Sequence, residues 1–224
     1  MGKYFGTDGF RGEANVALTV EHAFKIGRFL GWYFGRDHKA TVVIGKDTRR
    51  SSYMFEAALT AGLTASGADA YLLHVTTTPS VSYVTRTEDF DCGIMISASH
   101  NKFYDNGIKL LNGAGEKMEE SLLAKIEAYL DGNFGDLPYA TRDKIGCTVD
   151  YVAGRNRYMG YLILAIRKAF ADAQGQSRNV VFDRKGRPRE NRADTIFQNS
   201  IQTERISFIR VISRNTCPFD NHSK

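Results

Sequence analysis

Four side chains in this sequence have the chemistry to handle a phosphate together: Ser99, His100, Lys109 and Arg11. Ser99 and His100 set a hydroxyl beside an ionisable ring, and Lys109 can return a positive charge to the same spot. Three of them lie in the stretch Cys92 to Lys109, CGIMISASHNKFYDNGIK. Its first five residues are apolar and read as a buried strand. The polar run Ser97 to Asn101 could not stay buried without partners, so the strand must end there. Asp105, Asn106 and Gly107 then read as a turn, because Asn and Gly tolerate positive φ. A buried strand that ends in a polar loop is where open α/β sheets place their ligands. Arg11 sits in a stretch punctuated by Gly6, Gly9 and Gly12. Such a loop lets an arginine approach a phosphate closely and bond it in bidentate fashion. Taken alone, it reads more readily as a structural turn with a surface arginine.

The elements that must position these groups follow from periodicity. Ala23, Ile26, Leu30 and Tyr33 recur at helical spacing, with Thr19 as N-cap. Thr41 to Gly45 is a β-branched run, hence a strand, and it ends in the polar cluster Lys46, Asp47, Thr48, Arg49, Arg50. A helix through Phe55, Ala58, Leu59 and Leu63 ends at Gly67. Ala70 to Val75 is another strand, in which His74 reads as a satisfied structural histidine, no metal set lying near it. Thr78 is expected to cap a short helix with Pro79 at its first position. A helix from about Glu119 to Leu130 buries Leu122, Leu123, Ile126 and Tyr129 and stops at Gly132. Residues 133–147 read as a linker, and a further helix starts at Asp150. Alternating strands and helices predict an α/β fold: a three-layer α/β/α sandwich with a mixed, mostly parallel sheet, followed by an irregular tail.

Two stretches, KYFGTDGFRG (Lys3 to Gly12) and MISASHN with YDNGIK (Met95 to Lys109), resemble the marks of the α-D-phosphohexomutase family, and within it the branch that acts on glucosamine phosphates. The resemblance covers roughly residues 1–164. It implies that residues 1–135 form the first domain with its phosphoserine loop, and that residues 136–164 are a linker and the first helix of a truncated second domain. It further implies that Ser99 carries a phosphoryl group, that Arg11 lies by that group and the substrate phosphates, and that Lys109 bonds it. His100 would position the phosphate or shuttle a proton, with Asn101, Lys46 and Arg49 in support. The implied reaction interconverts glucosamine 6-phosphate and glucosamine 1-phosphate through a bisphosphate, with a hexosamine phosphate as the partner. The alternatives are the branch acting on mannose and glucose phosphates, or a non-catalytic fragment. The implied cofactor is Mg²⁺, with one ligand here, the phosphate on Ser99; the family's DGDxDR-type aspartate loop does not occur in this sequence. Lys102 stands where the family commonly has proline, which loosens the loop and adds a charge.

Bulk properties constrain the rest. The 224 residues allow one or two domains. Cys92, Cys147 and Cys217 lack zinc or disulfide spacing and read as reduced thiols of a cytoplasmic protein. No apolar stretch approaches the ~20 residues that span a bilayer, so no membrane role is expected. The net charge of +5 would suggest nucleic acid, but residues 1–164 carry 18 basic and 19 acidic side chains while residues 165–224 carry 12 and 6. The basicity belongs to a tail whose arginines lack interleaved aromatic platforms, so no nucleic-acid partner is expected. That tail, without family resemblance and with one candidate strand at Ile206 to Ile212, is expected to follow a reading-frame disruption near Tyr161 to Arg167. Oligomeric state stays open.

Overall fold

The structure is a computed structural model that describes residues 2–176, with side chains described through residue 170. The candidate strand at Ile206 to Ile212, the basic tail beyond Gln176 and Cys217 lie outside the described residues. The unit that carries the sheet is Met1–Tyr158.

Seven strands form one sheet: β1 (Phe5–Gly6), β2 (Gly9–Glu13), β3 (Thr41–Lys46), β4 (Asp69–Val75), β5 (Cys92–Ile96), β6 (Asp105–Asn112) and β7 (Thr148–Asp150). Their spatial order is β1-β2-β6-β5-β3-β4-β7. The pairs β5–β3, β3–β4 and β4–β7 are parallel, whereas β1–β2, β2–β6 and β6–β5 are antiparallel. The sheet is therefore mixed but evenly divided, not mostly parallel. The physical reason is that β1–β2 and β5–β6 are consecutive strands joined by short reversals, which make antiparallel pairs, and β2 then adds antiparallel to the free edge of β6.

Helices α1 (Val20–Phe34), α2 (Arg50–Ala65) and α4 (Glu120–Leu130) share a core with one face of the sheet, while α3 (Thr78–Thr87) covers the other. The strand alternation is strict: Val42, Ile44, Cys92, Ile94, Ile96, Ile108 and Leu110 enter the first core, and Val43, Met95 and Leu111 the second. This is the three-layer arrangement expected from the sequence. Burial pushes the Cys92 thiol far up, so it stays protonated.

Thr19 caps α1 as expected, accepting from the His22 backbone N–H at 3.3 Å. The cap of α3 is Thr77, not Thr78, because Thr77 holds the extended backbone that a cap requires. The glycine-rich N-terminal stretch is a β-hairpin, not a loop: Gly9 takes φ +94° at its turn, and Arg11 lies on β2 opposite Gly107 of β6. Glu127 of α4 anchors that hairpin by accepting from the backbone N–H groups of Lys3, Tyr4 and Phe5 at 2.7–3.0 Å. Burial would raise the Glu127 carboxyl, but these three donors outweigh it and hold it low.

The expected turn at Asp105 to Gly107 opens strand β6 instead. Asn106 is fully buried there, its amide donating to Ser51 and Ser52. Helix α5 runs Val152–Gln176, two residues later than the Asp150 start expected, since Thr148–Asp150 pairs with β4 as an edge strand. No helix among the described residues is long and apolar enough to cross a membrane.

Candidate active site

Strand β5 delivers the loop Ser97 to Tyr104 at its carboxyl end, in the middle of the sheet. Ser99 and His100 are exposed at the turn, and Ser99 has φ +57°, a left-handed conformation that a serine adopts only when its surroundings enforce it. The Ser99 N–H donates to Ser97 Oγ at 3.0 Å, and Asn101 Nδ2 donates to Asp105 Oδ2 at 3.1 Å, closing the turn across itself.

What enforces this shape is Arg49, at the start of α2. Its Nη2 donates to the carbonyls of Ser99 (3.0 Å) and Asn101 (2.9 Å), and its Nη1 to those of Asp105 (3.0 Å) and Lys102. Its Nε donates to Asp47 Oδ2 at 2.9 Å. All five guanidinium donors are thus engaged. Arg49 has none left for a ligand and binds the loop's carbonyls instead.

The cations come from the antiparallel side of the loop. Arg11 on β2 and Lys109 on β6 project from the same sheet face. A Cβ on Gly107 would meet Ser97 O at 2.8 Å and Arg11 Cγ at 3.0 Å, so Arg11 lies directly over Gly107 beside the loop's first residue. A Cβ on Gly9 would meet Lys109 Cγ at 3.1 Å. Arg11 Nη2 pairs with the exposed Asp8 at 3.0 Å, but its buried Nε has no hydrogen-bond partner. Partial burial, then repulsion by Arg11, lowers the Lys109 pKa, with Asp8 and Asp47 opposing. Two cations held this close, one with an unsatisfied donor, suit an anion of high charge density.

An anion between them should reverse the shift. With inorganic phosphate bound, or phosphate on Ser99, the Lys109 ammonium is expected to titrate at higher pH than in the free protein. ¹⁵N-detected titration of the lysine side chains checks this; an unmoved Lys109 curve under saturating phosphate would contradict it. In the free protein the folded pKa lies below the unfolded one, so Lys109 opposes folding below that window and ceases to above it. Lys109→Met should accordingly raise the melting temperature at neutral pH while weakening phosphate binding.

Lys46 does not join the loop. It lies on the α1–α2 face of β3, where its Nζ donates to Glu56 and sits 4.0 Å from the Tyr53 ring centroid. The alternation of β3 puts it on the sheet face opposite Arg11 and Lys109. His74, at φ +54° beside a register shift in β4, lies 3.4 Å from Glu56 and 3.5 Å from Asp150, a structural role. Sequence reasoning missed Asp47, Ser52 and Asn106, which brace the loop from below. A polar DTRRSS run straight after a buried strand was the available signal.

No group of three or more His, Cys, Asp or Glu side chains that could hold a metal occurs among the described residues. Near the loop, Asp8, Asp47 and Asp105 are engaged with Arg11, Arg49 and Asn101 respectively. These residues do not by themselves fit a Mg²⁺ site.

Comparison with known proteins accords with this geometry. Residues 2–134 match the family model "Phosphoglucomutase/phosphomannomutase, alpha/beta/alpha domain I". A phosphoglucosamine mutase of Lachnospira eligens is 80% identical over 166 residues, covering 73% of this chain and 37% of that protein. One of Lachnoclostridium phytofermentans is 69% identical over 170 residues, covering 76% and 38%. The chain thus spans less than two-fifths of the length of these curated relatives. Among solved structures, a putative phosphomannomutase from Thermus thermophilus superposes with a TM-score of 0.53 at 28% identity, over 65% of this chain and 32% of that one. A phosphoglucomutase/phosphomannomutase family protein from Burkholderia thailandensis shares the fold, at a TM-score of 0.55 and 22% identity over 66% and 32%. The chain belongs to the phosphoglucomutase/phosphomannomutase family, and its seven-stranded unit carries that family's α/β/α domain I.

Proposed function

We propose that Ser99 is a phosphoryl carrier and that this chain is the phosphoserine-bearing part of a phosphoglucosamine mutase. The assembled enzyme interconverts glucosamine 6-phosphate and glucosamine 1-phosphate through a bisphosphate. The observation that carries the phosphoryl role is the left-handed Ser99, clamped at the mouth of β5, with Arg11 beside the loop's first residue and Lys109 on the same sheet face as Arg11. The glucosamine substrate is supported by the two relatives of that name, 80% and 69% identical. With reduced thiols and an active-site loop for a small sugar phosphate, the reading is of a cytoplasmic enzyme without nucleic-acid or membrane partners.

Phosphate monoesters are inert, and their transfer is catalysed mostly by positioning and charge neutralisation. A sugar hydroxyl attacks the phosphorus on Ser99, the bond to Ser99 Oγ breaks, and the serine oxygen leaves with the electron pair. Arg11 and Lys109 offset the roughly −1.5 to −2 charges of the phosphoserine. His100, exposed beside Ser99, is placed to exchange the proton of the attacking or leaving hydroxyl. Mg²⁺ would bind the Ser99 phosphate as its one ligand from this chain and add further neutralisation.

Incubation with glucosamine 1,6-bisphosphate and Mg²⁺, with the remaining portion of a relative supplied in trans, followed by intact-mass analysis, tests the proposal. One phosphate on the wild-type chain and none on Ser99→Ala is expected; equal mass gain in both would sink it. The chain's short span relative to its relatives favours a second reading, a fragment that accepts phosphate without turnover by itself. Turnover of glucosamine 6-phosphate by the chain alone, above a Ser99→Ala control, would exclude that reading. Faster label uptake from a mannose or glucose bisphosphate would favour the hexose branch.

A further inference from the structure

The loop is braced by a closed ring of hydrogen bonds that joins residues far apart in the sequence. Asp47 follows β3, and its backbone N–H donates to Ile96 O at 2.9 Å, pinning the last residue of β5. Its Oδ2 accepts from Arg49 Nε at 2.9 Å, and its Oδ1 accepts from Ser52 Oγ at 2.6 Å and from the Arg49 backbone N–H at 3.0 Å. Ser52 Oγ in turn accepts from Asn106 Nδ2 at 2.9 Å. Asn106 Oδ1 accepts from the Gly107 N–H at 2.8 Å, and Gly107 O accepts from the Ser97 N–H at 2.8 Å. Arg49 closes the circuit on the carbonyl of Asp105, next to Asn106. Ser52 and Asn106 are fully buried, so their bonds are not exchanged for water, and removing one partner leaves the other unsatisfied.

We propose that Asn106, Ser52 and Asp47 are positioning residues that preset the Ser99 loop, acting through Arg49. The proposal takes its purpose from the reading of Ser99 as phosphoryl carrier. The ring orients the Arg49 fork, and the fork holds both ends and the apex of the loop at once. A ring that spans β3, α2 and β6 ties the entry and exit of the loop to one rigid helix start, so Ser99 is presented in one conformation without any contribution from beyond this domain.

Phe103, 83% exposed at the loop tip, gives a local reporter. Chymotryptic cleavage after Phe103, read by mass spectrometry on the full 224-residue chain, should rise at least about tenfold in Ser52→Ala and in Asn106→Ala. The Arg49 Nε–H resonance in ¹⁵N–¹H spectra should lose its protection from exchange in both. Ser82→Ala is the matched control: it deletes a hydroxyl bond to Gly115 O (2.7 Å) far from the loop and should leave both signals unchanged at a comparable melting temperature. Loop cleavage and an Arg49 signal in Ser52→Ala that match Ser82→Ala would overturn the proposal. Should Ser52→Ala fail to fold, Asp47→Asn, which conserves volume, is read by the same two signals. Neither readout needs phosphoryl transfer, so a Ser99 that takes no label would defeat the functional reading while leaving the ring to stand or fall by its own test.

Discussion

Glu56→Ala is expected to destabilise the domain by about 3–5 kcal/mol, because it strands the Lys46 ammonium in the core. The two side chains are only 3% and 9% exposed, and the Tyr53 ring packs against Lys46 Nζ. At about 2–4 °C per kcal/mol for a domain of this size, the melting temperature should fall by roughly 10 °C or more. The double replacement Lys46→Met with Glu56→Leu removes both charges and keeps an apolar filling, so it should be near neutral or stabilising. Thermal denaturation of the wild type, the single and the double variant decides the matter. A single variant as stable as wild type would mean that water reaches this pair. Phosphate binding at Arg11 and Lys109 should survive in the double variant, since the ion pair lies on the opposite sheet face.

Arg49→Ala should act in the other sense, on chemistry far more than on stability. It releases four loop carbonyls together, and Ser99 then loses what holds it at φ +57°. A displacement of about 1 Å at a reacting group costs on the order of 10²-fold in rate, so label uptake at Ser99 should fall by about that factor. Arg49→Lys should recover little of it, because a single ammonium with three donors cannot span four carbonyls in the plane of a guanidinium. The measurement is the rate of phosphate gain at Ser99 with the remaining portion of a relative in trans. Uptake within twofold of wild type in Arg49→Ala would show that the loop shape resides elsewhere.

Elements with strong local periodicity were legible in the sequence: the α1 stripe with its Thr19 cap, the β-branched β3, and the apolar run of β5 ending at Ser97. What escaped depends on partners distant in the chain. β2 has glycine at two of its five positions and reads as a loop; it becomes a strand because Phe10 and Arg11 pair with Ile108 and Gly107, nearly a hundred residues on. Asn106–Gly107 carries the local signature of a turn, yet Ser51 and Ser52 satisfy the Asn106 amide and let it start a strand. Lys46 is the last residue of β3, and strand alternation, visible once the face is known, sends it into the core, whereas Arg49, past the strand at the start of α2, reaches the loop. For the site itself, Ser99, Arg11 and Lys109 were legible as residue types; the carbonyl cage around Arg49 was not, because backbone acceptors leave no mark in a sequence.

The Ser99 hydroxyl ends the parallel half of the sheet while Arg11 and Lys109 stand on the antiparallel half, and a single ladder, β5 against β6, joins the two. In that ladder Lys109 sits opposite Met95, flanked by Ile108 and Leu110, which point into the larger core. Slide β6 by one residue and every side chain changes face: the ammonium would be driven among Leu18, Ile26 and Phe55, and two aliphatic groups would be turned out. Misalignment that would spoil the electrostatics is thereby also a misfolding event. Oil, not charge, proofreads where the charge ends up.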